Sequence, residues 1–176
     1  MKTIIFNKHK LQISNEGILF WFDKQIAIIA DLHLEKGTSF GPSGQFLPPY
    51  DSEETLKKLL GILNKNNVKK VILLGDTFHD KNAMSRMSKR VLILFEKFIS
   101  KYEVVFVLGN HENNIKLEKI KFFNTYVLDG IHFIHQASKK YIYQISGHYH
   151  PVATIVSGSK KITGKCLVHQ EYNLIL

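Results

Sequence analysis

The sequence predicts an α/β protein, a four-layer α/β/β/α sandwich built as one domain over residues 1–176. Three observations predict it. Continuous apolar runs at 26–30, 71–74 and 104–108 each end in a polar cluster, amphipathic segments lie between them, and the stretch from residue 122 onward is a series of short strand-like runs. An apolar run without alternation marks a strand buried on both faces. Strand, helix, strand order then gives a largely parallel sheet whose strands end along one edge, where ligand sites belong. At 44% hydrophobic residues the chain has enough apolar surface for a sizeable core.

The elements follow in order. Short apolar segments at 3–6, 11–13 and 18–22, separated by Asn-Lys and Asn-Glu-Gly turns, predict a β-meander before the first buried strand. Residues 37–49, with three glycines and three prolines, predict a loop. Asp51 followed by Glu54 predicts a capping box opening a helix to Lys65, with Leu56, Leu59, Leu60 and Leu63 on one face. A second helix is expected over 85–101 through Val91, Leu92, Leu94, Phe95 and Phe98. Strands are expected at 131–135, 141–146, 154–156 and 167–176, forming a second sheet.

Five blocks of metal-ligating residue types occur along this scaffold: Asp31-Leu-His33, Gly75-Asp76, Gly109-Asn110-His111-Glu112, His135, and Gly147-His148-Tyr-His150. Three of them directly follow the buried strands. Hydrolysis of a phosphate ester needs a hydroxide at neutral pH and positive charge on the phosphate oxygens, and two neighbouring divalent ions supply both. Carboxylates, imidazoles and an amide oxygen suit such a pair of ions. Asp31 and His33 alternate on an extended segment, so a turn must intervene if both face one metal. His132 and His135 are three apart and fall on opposite faces of a strand, so only His135 is expected at the site. His9, His132 and His169 read as structural.

These blocks resemble the calcineurin-like metallophosphoesterase superfamily, whose pattern is D-x-H, G-D, G-N-H-[DE], H and G-H-x-H. The stretch from Ala30 through Lys36-Gly-Thr-Ser-Phe40, followed by Gly44-Gln-Phe-Leu47-Pro48-Pro49-Tyr50-Asp51, is similar to the bacterial DNA-ligase-associated, PdeM-type metallophosphoesterases. The resemblance implies Asp31, His33, Asp76 and His150 on one metal, and Asp76, Asn110, His135 and His148 on a second. It implies Mn²⁺ as the ion, His111 as general acid, and Glu112 orienting its ring unless that residue is a solvated loop carboxylate. In Gly75-Asp76-Thr-Phe-His79, His79 resembles a residue of DNA nucleases in the same superfamily, where protein phosphatases carry Gly-Asp-x-Val-Asp-Arg-Gly. It is placed to hold a phosphodiester oxygen, with Asp80 as its partner or as a loop acid. The resemblance further implies a nucleic-acid substrate in DNA repair and an ATP-dependent DNA ligase among the partners. Such proteins continue past residue 176 into a Pro-Ala-Phe-Gly-like segment and a Gly-rich tail, so an inactive truncated remnant is one alternative. A small-molecule phosphoesterase acting on cyclic nucleotides or monoesters is another.

Lys36 and Ser39, in the loop after the first block, are placed to reach a substrate phosphate, or Lys36 is simply solvated. Phe40, Phe46 and Tyr50 are placed to stack on bases or to pack locally. Lysine and arginine outnumber aspartate and glutamate by 24 to 15, a formal charge of +9. This fits a polyanionic partner and equally the composition of an AT-rich genome. The single cysteine, Cys166, precludes an internal disulfide and reads as a small strand residue. No apolar run approaches the roughly 20 residues that span a bilayer, and charge interrupts the N-terminus early, so a cytoplasmic protein is expected.

Overall fold

The computed structural model describes residues 1–40, 50–112 and 120–176. The loop residues 41–49, including Phe46, lie outside that set. In chain order the elements are β1 (Lys2–Phe6), β2 (His9–Ile13), β3 (Leu19–Trp21), β4 (Ile26–Ile29), α1 (Lys36–Ser39), α2 (Asp51–Lys65), β5 (Lys70–Leu74), α3 (Ala83–Arg86), α4 (Lys89–Lys101) and β6 (Glu103–Val107). The C-terminal part adds β7 (Phe122–Phe123), β8 (Tyr126–Leu128), β9 (Ile131–Ile134), β10 (Gln144–Ser146), β11 (Val152–Ser157), β12 (Lys160–Lys165), β13 (Val168–His169) and β14 (Asn173–Ile175).

A seven-stranded sheet runs in the order β1 to β7. The expected meander pairs antiparallel as far as β4, and β4 to β7 are parallel. The apolar runs divide their side chains between two cores. Ala27, Ile29, Val71, Leu73 and Phe106 face α2 and α4, while Ile26, Ile28, Ile72, Leu74, Val105 and Val107 face the second sheet. That division is the period-two geometry of a strand covered on both sides. The second sheet has the order β13-β14-β10-β9-β8 and seals its core with Ile131, Phe133, Ile145 and Leu174. The mixed α/β architecture of helices on one sheet and sheet on sheet is therefore present. Among the described residues all α-helices precede residue 102.

Local expectations were met unevenly. Helix α2 has the expected bounds and buries Leu56, Leu59, Leu60 and Leu63, but no capping box forms. Asp51 is already helical, and its carboxylate accepts the N–H groups of Gly37 at 2.7 Å and Ser52 at 2.8 Å, tying the helix to α1 instead. The expected helix over 85–101 is two helices, because Met87 turns extended (φ −56°, ψ 128°) and Ser88 caps α4 by accepting the Val91 N–H. The strand expected at 141–146 shortens to β10. The Gln144 amide instead ties a turn, bonding Ser138 N–H, Ser138 C=O and Tyr141 C=O. The C-terminal run splits into β13 and β14, and the 154–156 strand is one arm of a separate hairpin with β12. No helix among the described residues is long and apolar enough to cross a membrane.

Candidate metal centre

The three blocks of the first sheet leave the parallel strands β4, β5 and β6 at one edge. The second sheet delivers its blocks to the same place, because β9 and β10 run parallel with Ile134 opposite Ser146. His135 and Gly147 therefore emerge side by side, joined by the Gly147 N–H to His135 C=O bond at 3.0 Å. The turn expected between Asp31 and His33 exists as left-handed backbone: φ is +51° at Asp31 and +46° at His33. Asp76, His148 and His150 are left-handed as well, at +46°, +73° and +44°. Such a conformation costs about 1–3 kcal/mol for a non-glycine residue and persists where function or packing holds it. Two glycines make room. At Gly75 (φ +79°) a Cβ would lie 2.5 Å from His135 Nδ1, and at Gly109 it would collide with the Asp76 backbone and carboxylate.

The side chains converge in three overlapping groups whose ligand atoms lie within 4.8 Å of one another: Asp31, His33 and His150; His33, Asp76 and His111; and Asp76, His135 and His148. His33 Nε2 is 3.4 Å from His150 Nε2, and His135 Nε2 is 3.3 Å from Asp76 Oδ2. His148 Nδ1 lies 3.1 Å from His135 Nε2 and 3.3 Å from the Asn110 amide nitrogen. All seven residues expected as ligands thus share one cluster, with Asp76 common to two groups. The group joining His33 to Asp76 is completed by His111 rather than by Asp31. His132 points away, stacked on Tyr141 at 4.2 Å.

Buried polar atoms lacking partners sit in this cluster, namely Asp31 Oδ1, His33 Nδ1 and His79 Nδ1. Buried polar atoms are costly unless something satisfies them. A mixed set of carboxylates, imidazoles and an amide suits divalent ions of the manganese or zinc class. The residues present therefore fit divalent metal ions. His135 is prepared in the manner of a metal-binding histidine, with Nδ1 at 2.9 Å from the Leu74 carbonyl and Nε2 aimed inward.

The electrostatics follow from crowding. Burial lowers the His33 pKa to about 4, opposed by Asp76 and reinforced by His150, His111 and His79. Burial alone would raise Asp76, but His135 and the His111 N–H outweigh it and bring the carboxyl down to about 2. Burial raises Asp31. It opposes the rise at His135, where Asp76 and the Leu74 carbonyl prevail.

Around the cluster, His111 is half-exposed, 3.7 Å from Asp76 Oδ2, and stacks with His79 at 5.7 Å. Glu112 corrects both expectations for it. It is 1% exposed, so it is no solvated loop acid. Its carboxylate accepts the backbone N–H groups of Gly109, Asp76 and Phe78 at 2.8, 3.0 and 3.0 Å. Asp80 is a loop acid, paired with Arg86 at 2.6 Å rather than with His79. Lys36 and Ser39 lie in helix α1, not in open loop. Lys36 is exposed, and Ser39 donates its hydroxyl to the Lys36 carbonyl at 2.7 Å. Lys165, not singled out in the sequence, lines two grooves that both reach His150. Its only sequence signal is the strand pairing that sets it opposite Val152, two residues after His150.

In a search of solved structures the chain resembles the nuclease MPE of Pseudomonas putida, with a TM-score of 0.78 and 23% identity over 99% of this chain and 84% of that one. A single mutant of Vps29 from Entamoeba histolytica aligns with a TM-score of 0.40 and 14% identity over 85% of this chain and 72% of that one. No curated protein matches the sequence. Residues 24–171 match the sequence model of the calcineurin-like phosphoesterases. The chain belongs to that family, whose members are metal-using hydrolases of phosphoester bonds.

Proposed function

We propose that the protein is a two-metal phosphodiesterase acting on nucleic-acid ends, with Mn²⁺ as its ion. The observation that carries this is that Asp76 and His33 each belong to two of the three ligand groups, and of the two only Asp76 is a carboxylate able to bridge ions. Asp31, His33, Asp76 and His150 would hold one ion, and Asp76, Asn110, His135 and His148 the other. A shared carboxylate between two dications offsets their repulsion. The ions would supply charge to the phosphate oxygens and a water acidic enough to attack near neutral pH.

The chain's own residues do the rest. His111 is exposed enough to meet a leaving oxygen and deliver a proton to it. His79, stacked beside it, donates to a non-bridging oxygen. Lys36 offers charge at the rim. The +9 formal charge, and the fact that the Pseudomonas putida neighbour is a nuclease, support polynucleotides as the substrate class. A repair ligase is the corresponding partner.

The test is hydrolysis with Mn²⁺ across a model diester, a model monoester, a cyclic nucleotide and end-modified DNA. Diester and DNA-end cleavage abolished by chelation are expected. Turnover confined to the monoester or cyclic nucleotide would overturn the nucleic-acid reading.

A further inference from the structure

We propose that the β11–β12 hairpin is a polynucleotide arm, its Lys161 and Lys165 face binding phosphates that flank the one at the metal centre. The proposal deepens the phosphodiesterase reading above and rests on it. Strand β11 begins two residues after His150, and the Cys166 N–H to Pro151 C=O bond at 3.0 Å closes the base of the hairpin. The register sets Lys165 opposite Val152, Thr163 opposite Thr154 and Lys161 opposite Val156. Directly opposed residues share a face, and so do alternate residues along a strand. One face therefore carries Lys161, Lys165, the two threonines and the opposed Val152 and Val156. Lys160, opposite Ser157, belongs to the other face with Ile155 and Ile162.

Lys165 sits where two grooves meet. One, of about 380 Å³, also contains Lys36 and Thr55; the other, of about 820 Å³, also contains Lys2; both reach Asp31 and His150. A monoester has a substituent on one side of its phosphorus and needs one groove. A polymer continues on both sides and needs two, with cations along its path. Apart from Asp31, which reaches both grooves, the narrower one sets Lys36 and Lys165 against Asp51 and the wider one sets Lys2 and Lys165 against Glu16.

The hairpin itself has no other strand partner among the described residues. It forms a two-stranded sheet of its own, and Val152, Ile155, Val156 and Ile162 are 61–69% exposed. Residues 152–165 hold three lysines and no acid. Lys161 and Lys165, four residues apart on one strand, span about 13 Å, more than one phosphate-to-phosphate step of a nucleic-acid strand. Lysines also guard exposed strand edges against pairing with other chains, but that role is indifferent to the face a lysine occupies.

The experiment compares Lys161→Gln, Lys161→Gln/Lys165→Gln and Lys160→Gln in the Mn²⁺-loaded protein. DNA affinity is measured with a labelled single strand at several salt concentrations, and kcat/KM on that strand is divided by kcat/KM on a model diester. Each phosphate left without its lysine should flatten the log-affinity against log-salt slope by about 0.7, so by about 1.4 for the double variant, and lower the ratio on the order of ten-fold. Lys160→Gln, with the same charge change on the opposite face, should stay near the unmodified protein. Equal effects at 160 and 161, or unchanged slopes in all three, would overturn the arm. Model-diester hydrolysis with salt-independent DNA binding would also overturn it while leaving the diesterase chemistry standing. Absent diester hydrolysis with the expected slope changes would sink the phosphodiesterase reading and keep the arm as a binding surface.

Discussion

Glu112 holds Asp76 by its backbone: one carboxylate oxygen of the glutamate accepts the Asp76 N–H at 3.0 Å and the Gly109 N–H at 2.8 Å. The other accepts the Phe78 N–H at 3.0 Å, so two metal-site loops from neighbouring strands hang on one buried side chain. Burial raises the pKa of this carboxyl, and the three amides pull the other way. Glu112→Ala would orphan three buried donors and should cost about 2–5 kcal/mol in urea unfolding of the metal-free protein. Glu112→Gln keeps one acceptor oxygen but sets an NH₂ against an N–H, and should cost about 1–3 kcal/mol with weaker Mn²⁺ binding. An unchanged midpoint in both variants would show that the loops hold themselves.

Asp76→Asn removes charge where the proposed ions lie closest together. Mn²⁺ occupancy and phosphodiesterase activity should fall together, occupancy being read by metal analysis after gel filtration. Full occupancy with full activity would sink the two-metal assignment.

His111→Ala should keep its metals and lose turnover in proportion to the basicity of the leaving group. A nitrophenolate departs without a proton, whereas a sugar alkoxide needs one. Equal losses on both substrate types would assign His111 to phosphate positioning instead.

The parallel core and its motif edge were legible because each buried strand states itself in four or five apolar residues, and because ligand chemistry restricts the residue types that follow. A turn between Asp31 and His33 was expected from the need to face one metal, but its left-handed backbone was not. What escaped depended on partners distant in sequence. Nothing near Glu112 reveals that its acceptors serve amides of Asp76 and Phe78, over thirty residues away. The break at Met87 was hidden because the apolar spacing continues through it, although Ser88 three residues before Val91 is a cap signal in hindsight. Lys165 could not be placed without the hairpin register, and the Ser157-Gly158-Ser159 turn that sets it is a weak hairpin signal on its own.

His79 separates diester from monoester chemistry. A monoester presents a dianion that two ions can hold unaided, while a diester is a monoanion with one oxygen blocked by its second substituent. The His79 ring lies beside those of His33 and His111, each centroid 5.7 Å away, so it faces the same space as the proposed ligands. His79→Asn should reduce diesterase activity about 10²–10³-fold, the range for one preorganised donor, with monoesterase activity persisting. Matched nitrophenyl substrates decide it, and equal losses would return His79 to packing.

The metal-free protein should lose stability on acidification in a way traceable to His33. Its folded pKa of about 4 lies below the ordinary 6.5, so between those values the unfolded chain binds a proton that the folded chain refuses. Stability therefore falls as pH drops from 6.5 to about 4. Asp76, at about 2 against 3.8, acts in the same direction in a lower window. His135, raised above 6.5, stabilises at lower pH and loses its contribution as pH rises through its folded value, outside the His33 window. Asp31 and Glu112, both raised, bind protons more readily when folded and so oppose the acid loss above their ordinary values. Because these effects overlap, the informative quantity is the difference between the native sequence and His33→Asn, measured by urea unfolding without metal from about pH 7 to about pH 4. The native protein should lose more stability than the variant across that range. Parallel curves would mean that His33 titrates as it does in the unfolded chain, and that the crowding of imidazoles around it is relieved without metal.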